Sequence, residues 1–252
     1  MISVNPYPAA SEAAKRHAEI EFPREAVGFI LTTGEYVPMN NISRDPENHW
    51  DINPEEYALH LDQLDCIVHS HGYASADFRN RSRILERGPS LADMELQQEW
   101  ACNFGLVVVI DKHAEDPLYW GPGVPRAPLV GRPFIFGIYD CMSLLRDWYF
   151  QERGIDLPDY PRGIDQIEAN ESLYVPNIEA WGFRVLDNFG QVEPGDVLLA
   201  QMGEGAAVTN HAGVYLPTGQ LLHHLRGRLS GAEPVNVWRN HYTHACRYEG
   251  PK

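Results

Sequence analysis

The sequence predicts two consecutive domains, an α/β unit followed by an α+β unit, and three observations predict them. At 252 residues the chain exceeds what one core usually organises, roughly 100 to 200 residues per domain being the common range. The stretch from Trp120 to Pro133, with Gly121-Pro122-Gly123, Pro125 and Pro128, has too many glycines and prolines for a helix or a central strand and reads as a linker. Apolar patterning changes across it, from helices alternating with strands to one strong helix followed by strands. The predicted boundaries are 1–118 for the first domain, 119–134 for the linker and 135–252 for the second domain. Each domain is large enough to bury a core, and no internal repeat is visible.

Taken in order, residues 11–21 have helical spacing and Val27–Leu31 form an apolar run of strand length. Helical spacing returns over Pro54–Leu64, with proline at a tolerated first-turn position. Cys66-Ile67-Val68 then reads as a strand leading into His69. A helix over Leu91–Trp100 precedes Leu106–Ile110, a continuous apolar run suited to a buried strand. After the linker, residues 141–153 form a helix closed by Gly154, a Pro- and Asn-rich irregular stretch follows, and strand patterns run from Asp196 to the end.

With 35 acidic and 20 basic residues the net charge is -15, which repels phosphate backbones and excludes nucleic acid as a partner. The N-terminus lacks a basic region with an apolar run behind it, and no segment approaches the length of a membrane span. The expectation is a soluble protein made in the cytoplasm. Four scattered cysteines without a C-x-x-C pair indicate neither a disulfide framework nor a thiolate metal site.

His69 and His71 lie two apart on a strand, so both imidazoles point to one face. Such a pair is a natural platform for Zn2+, and Asp93 at the start of the next helix can supply the third ligand of a catalytic site. The same fragments have plainer readings: histidines on a strand can be polar surface, and Ser90-x-x-Asp93 is a helix capping box. Together with Glu25 in Pro23-Arg24-Glu25-Ala26-Val27-Gly28, they resemble the JAMM (MPN+) metalloproteases over about residues 8–115. The resemblance implies an MPN-type α/β fold in which His69, His71 and Asp93 hold zinc. It also implies that Glu25 exchanges the proton of a zinc-activated water and that Ser90 stabilises the oxyanion. The chain departs from that family in the insert 72–89, which carries Arg79, Arg81, Arg83 and Arg87. Ser75 and Asp77 lie nearer His71, but their spacing does not fit.

In the second half, Asp140 is suited to cap a helix with Cys141 as its first residue and Leu144, Leu145, Trp148 and Tyr149 as its buried stripe. The helix dipole and free N–H groups there favour a thiolate and offer part of an oxyanion hole. His211 begins an apolar strand run, and His223 follows a turn. If Pro217-Thr218-Gly219 is the loop, Leu216 pairs with Gln220 and Gly213 with His223, which puts His223 on the face of His211. A two-residue loop would put His224 there.

Asp140-Cys141, Pro194-Gly195-Asp196 and His211-Ala212-Gly213-Val214-Tyr215 resemble the NlpC/P60 family of papain-like cysteine peptidases. By that resemblance Cys141 is the nucleophile, His211 the base and later the acid, and His223 its orienting residue. Peptidoglycan stem peptides are the implied substrates. Met142-Ser143 replaces the Ser-Gly that many members carry after the cysteine. The two domains in tandem resemble proteins of phage tail tips. That implies synthesis in the host cytoplasm, tail tip proteins as partners and action at the periplasmic cell wall. The alternatives are a tail component with one or both sites vestigial, and a bacterial cell-wall remodelling endopeptidase.

Overall fold

The computed structural model describes residues 5–76, 87–164, 166, 169–203 and 205–250. It divides the chain between Arg126 and Ala127 into two compact units, each built on a six-stranded sheet. Among the described residues no helix is long and apolar enough to cross a membrane.

In the first unit α1 (Pro8–Glu21) begins at a proline, tolerated in the first turn. Its Ala10, Ala14 and Ala18 lie close on the sheet, over Ile30, Cys66, Val68, Val107, Val109 and Tyr119. The strands are β1 (Val27–Leu31), β2 (Tyr36–Met39), β3 (Leu64–Tyr73), β4 (Asn103–Ile110), β5 (His113–Ala114) and β6 (Leu118–Trp120). Their order is β2-β1-β3-β4-β5, with β6 also on β4. β2 has no counterpart among the predicted elements; it holds Pro38 on an edge, where a missing N–H is harmless.

The helix expected over Pro54–Leu64 is realised only as α2 (Pro54–Ala58) and a separate 3-10 turn, Leu61–Gln63. Neither fully buries a residue; ring contacts of Tyr57 and His60 with Phe29 and Trp100 are too few to sustain a longer helix. β3 and β4 are parallel and require a crossover, in which α3 (Leu91–Trp100) lies. Because α1 covers the face of Cys66 and Val68, strand alternation sends His69 and His71 to the other face. Arg79, Arg81, Arg83 and Asp77 lie outside the described residues; Arg87 pairs with Glu115 at 3.1 Å.

The second unit opens with an apparent spacer that is structured. Tyr119 and Trp120, assigned to the linker above, are buried in β6 of the first unit. Arg132 is wholly buried, donating to Asp147 Oδ2 (2.7 Å) and to the carbonyls of Ala127 (2.7 Å) and Pro128 (2.6 Å). Composition alone signalled a linker, whereas a paired guanidinium makes a Pro-rich segment part of a core. α4 (Cys141–Arg153) is capped by Asp140 and ends at Gly154, whose φ of 67° is the left-handed C-cap conformation.

The sheet runs β11-β10-β9-β8-β12-β7, with β7 Phe183–Val185, β8 Val197–Ala200, β9 His211–Tyr215, β10 Gln220–His223, β11 Gly231–Pro234 and β12 Tyr242–Tyr248. β7 sits inside the stretch read as irregular. Leu144, Leu145, Trp148 and Tyr149 of α4 join Val197, Leu199, Val214 and Phe183 in the core. Burial of each such large side chain contributes roughly 1.5–3 kcal/mol. The β9–β10 turn has the three-residue form: Leu216 N–H donates to Gln220 O at 2.8 Å, and Gly219 takes φ +75°. Gly213 therefore faces His223.

Candidate functional site

In the first unit His69, His71 and Asp93 each offer one ligand atom, and these atoms lie within 4.8 Å of one another. β3 supplies the imidazoles, and the first turn of α3 supplies the carboxylate. Ser90 caps α3: its hydroxyl donates to Asp93 Oδ2 (2.7 Å) and accepts from Asp93 N–H (3.1 Å), while Ser90 N–H also reaches Oδ2 (2.8 Å). The Ser90 proton is thus committed to Asp93, where it fixes the carboxylate, rather than aimed at an oxyanion. Asp93 Oδ1 faces His69 Nε2 at 3.1 Å and Oδ2 faces His71 Nε2 at 3.4 Å. Yet neither ring nitrogen of buried His69 has a partner with hydrogen-bond geometry.

Glu25 arrives by register. β1 pairs Val27 with His69, and antiparallel continuation by two residues puts Glu25 opposite His71, with Oε1 3.7 Å from Nε2. Burial raises the Glu25 carboxyl to about 7, with His71 opposing and Asp93 adding to the rise. Burial acts the same way on Asp93, but His69 and His71 outweigh it and hold that group well below the usual carboxylate range. Trp50, missed in the sequence, stacks near His69 with ring centroids 5.9 Å apart.

In the second unit the first turn of α4 rests beside the start of β9. Cys141 Sγ lies 2.9 Å from Tyr174 Oη, and the Ala212 N–H is also aimed at it. His211 Nε2 meets His223 Nδ1 at 3.1 Å, which leaves Nδ1 as the His211 nitrogen not engaged by His223. His223 Nε2 in turn faces Glu233 Oε2 at 3.4 Å.

The helix-dipole expectation for the thiol is corrected here. Burial, then the charge of Asp140, pushes Cys141 up to about 11, against the lowering effects of Tyr174, the Ala212 N–H and Arg162. Burial likewise takes His211 down to about 3, helped by His223 and His224. Both shifts run against charging either group on its own. His224 is buried on the other side of the strand, against Phe134.

Asp140 holds the base of the site. Its Oδ2 accepts from Arg162 Nε (2.6 Å) and Gly137 N–H (2.9 Å), and its Oδ1 from Arg162 Nη2 (3.0 Å) and Ser143 N–H (2.9 Å). A cleft opening on Cys141 is lined by Phe136, Tyr160, Arg162, Tyr174, Asn177 and Trp181, among others. Tyr174, Arg162 and Glu233 went unread in the sequence. Glu233 alone had a signal, since extending the β9–β10 alternation by one hairpin brings it near His223.

Residues 131–247 match the NlpC/P60 family. The tail tip assembly protein K of Escherichia phage N15 is 30% identical over 246 residues, which cover 94% of this chain and 93% of that protein. The chain belongs to the tail tip assembly protein K family. The K protein of Escherichia phage lambda is 36% identical over 131 residues, covering 48% of this chain and 64% of that protein. Among solved structures, the NlpC/P60 domain of the peptidoglycan hydrolase SagA aligns over 47% of this chain and 89% of its own, at 21% identity and a TM-score of 0.33. Within this K family member, the NlpC/P60 match spans Cys141, His211, His223 and Glu233, while Glu25, His69, His71, Ser90 and Asp93 fall outside it.

Proposed function

We propose that this chain is a tail tip protein whose second unit is a cysteine peptidase acting on peptidoglycan stem peptides. One observation carries the reading: the His211–His223 contact at 3.1 Å, set beside a cysteine that opens a capped helix and faces a cleft. Cys141 Sγ attacks the peptide carbonyl carbon as His211 takes the thiol proton. The base then returns that proton to the amine as the C–N bond breaks. A water activated by the same imidazole hydrolyses the thioester and regenerates the thiol. The Cys141 N–H, free at the helix N-terminus, and the Tyr174 hydroxyl, 2.9 Å from Sγ, are donors suited to the developing oxyanion.

For the first unit we propose a zinc-dependent peptidase of JAMM type, with a substrate still to be identified. The donor set fits the ion: two imidazoles and a carboxylate converge within 4.8 Å, and buried His69 has only Asp93 Oδ1, 3.1 Å from Nε2 and without hydrogen-bond geometry, beside its ring nitrogens. Bound zinc supplies Lewis acidity toward a carbonyl oxygen. His69, His71 and Asp93 would hold it, and Glu25, with Oε1 3.7 Å from His71 Nε2, is the carboxylate placed beside them to hold or release a proton.

The test is hydrolysis of purified muropeptides by the full chain, with elemental analysis in parallel. Cys141→Ala should abolish cleavage, whereas Glu25→Gln and zinc chelation should leave it nearly intact. The wild type should bind zinc and the His69→Ala, His71→Ala double variant should not. Loss of muropeptide cleavage on chelation, with the fold intact, would overturn the division of labour. Equal zinc in both proteins would overturn the metal assignment. Cys141 is only 9% exposed, which favours one rival, a tail component with a closed site. Absence of hydrolysis by the wild type on every muropeptide tried would select that rival.

A further inference from the structure

We infer that Glu233 is a positioning residue of the cysteine site, acting through His223 to set the tautomer of His211; the inference rests on the cysteine peptidase reading above. β10 and β11 pair His223 with Gly231 and Leu221 with Glu233. Glu233 is therefore the diagonal neighbour of His223 on the same face, within reach of a long side chain. Gly231, directly opposite His223, places no side chain between them, and the space above its Cα is open.

The carboxylate is itself held at both oxygens. Oε1 accepts from Arg228 Nη2 at 2.6 Å, and Oε2 accepts from Trp238 Nε1 at 2.8 Å. The Trp238 ring also packs against His223, with centroids 5.8 Å apart. Burial of Glu233 is outweighed by Trp238, Arg228 and His223, which keep the group below the usual carboxylate value and ionised at neutral pH.

An ionised carboxylate only accepts, so His223 Nε2 carries its proton toward Glu233. A neutral imidazole has one N–H, hence His223 Nδ1 is a lone pair. That lone pair requires a proton on His211 Nε2, 3.1 Å away, and so leaves His211 Nδ1 free to take the Cys141 proton. Without Glu233 the alternating pattern can reverse: His223 donates from Nδ1, His211 accepts at Nε2, and its proton moves to Nδ1. A base protonated at Nδ1 cannot accept there. The carboxylate thus sets the direction of the proton relay from outside the Cys141–His211–His223 set.

The experiment uses the full chain with Glu233→Ala, Glu233→Gln and Glu233→Lys. Three readouts are the ring-nitrogen NMR shifts of His211 and His223, iodoacetamide alkylation of Cys141 against a Cys141→Ala background, and muropeptide kcat and KM. Glu233→Ala should lower kcat by roughly 10- to 100-fold, the scale seen when the partner that orients a metal-bound imidazole is removed, with KM nearly unchanged. It should also place proton density on His211 Nδ1. Glu233→Gln keeps a carbonyl acceptor and restores most of the rate. Glu233→Lys presents a donor in its place and loses at least as much as Ala. Wild-type tautomers and alkylation rates in folded Ala or Lys variants would overturn the inference. So would equal losses in the Ala and Gln variants with tautomers unmoved. A wild type that cleaves no muropeptide would overturn the function instead, while tautomers and alkylation would still decide the role of Glu233.

Discussion

Replacing Tyr174 by Phe removes one hydrogen bond to the nucleophile and changes little else, because the ring sits in the core with Cys141, Ile178 and Trp181. Burial holds the Tyr174 hydroxyl protonated far above its ordinary value, so at 2.9 Å from Sγ it donates once the sulfur is charged. A hydrogen bond to a charged group contributes about 1.5–3 kcal/mol, or roughly 10- to 150-fold in thiolate population. Alkylation of Cys141 by iodoacetamide at pH 7, read by mass spectrometry, should slow by about that factor in Tyr174→Phe, with an unchanged melting temperature. A rate within about two-fold of wild type would refute the reasoning. A faster rate would make Tyr174 a cover over the thiol instead of a donor to it.

Three further outcomes follow from named contacts. His223→Ala should lower muropeptide kcat by roughly 10²–10⁴-fold, as loss of an orienting group does, while His224→Ala, off the His211 face, costs under about 10-fold; the opposite ranking in folded variants would point to a different register. Arg162→Met strands buried Asp140 and should destabilise the protein by roughly 3–5 kcal/mol. Because burial, which raises Asp140, is outweighed by Arg162 and the N–H donors, which hold it below its ordinary 3.8, that contribution is full above the unfolded value and is lost as pH falls through the folded one. The gap in melting temperature should therefore be complete at pH 7 and narrow below about pH 4; a gap constant across this window would sink the account. Ser90→Ala removes a cap worth about 1 kcal/mol and frees Asp93 Oδ2, so zinc affinity measured by chelator competition should drop roughly 10-fold; a lower melting temperature with unchanged affinity would reduce Ser90 to a cap.

What was legible in the sequence is what strand and helix periodicity encode. Alternation alone put His69 and His71 on one face, and the turn chemistry of Pro217-Thr218-Gly219 set the register that brings His223, not His224, to His211. Asp140 and Gly154 bounded α4 at both ends. Tyr174 and Arg162 carry no such signal, since each comes from a stretch without sustained periodicity and meets its partner across 33 and 22 residues of chain. Arg132 was hidden by composition, because prolines and glycines announce a spacer whether or not a buried ion pair fixes them. The helix over Pro54–Leu64 failed for the opposite reason: its local pattern was right, but only Tyr57 and His60 pack on neighbours, Phe29 and Trp100, and no residue of the segment is fully buried.

Electrostatics were least legible, and the thiol shows why. Cysteine at a helix N-terminus suggests a depressed pKa, yet the dipole is worth only about 0.3–1 kcal/mol at an exposed terminus and up to about 2 in favourable buried geometry. A rise from 9.0 to about 11 corresponds to roughly 3 kcal/mol against the thiolate, so desolvation and the Asp140 charge win. Burial also lowers His211, so desolvation opposes charge on either member of the pair taken alone. In the proposed mechanism that opposition places proton transfer together with sulfur attack, when the charge passes on to the carbonyl oxygen. The alkylation rate of Cys141 should accordingly keep climbing with pH toward about 11, in the manner of an ordinary thiol. A plateau reached below pH ~7.5, the range of activated cysteines, would show that the helix terminus prevails after all.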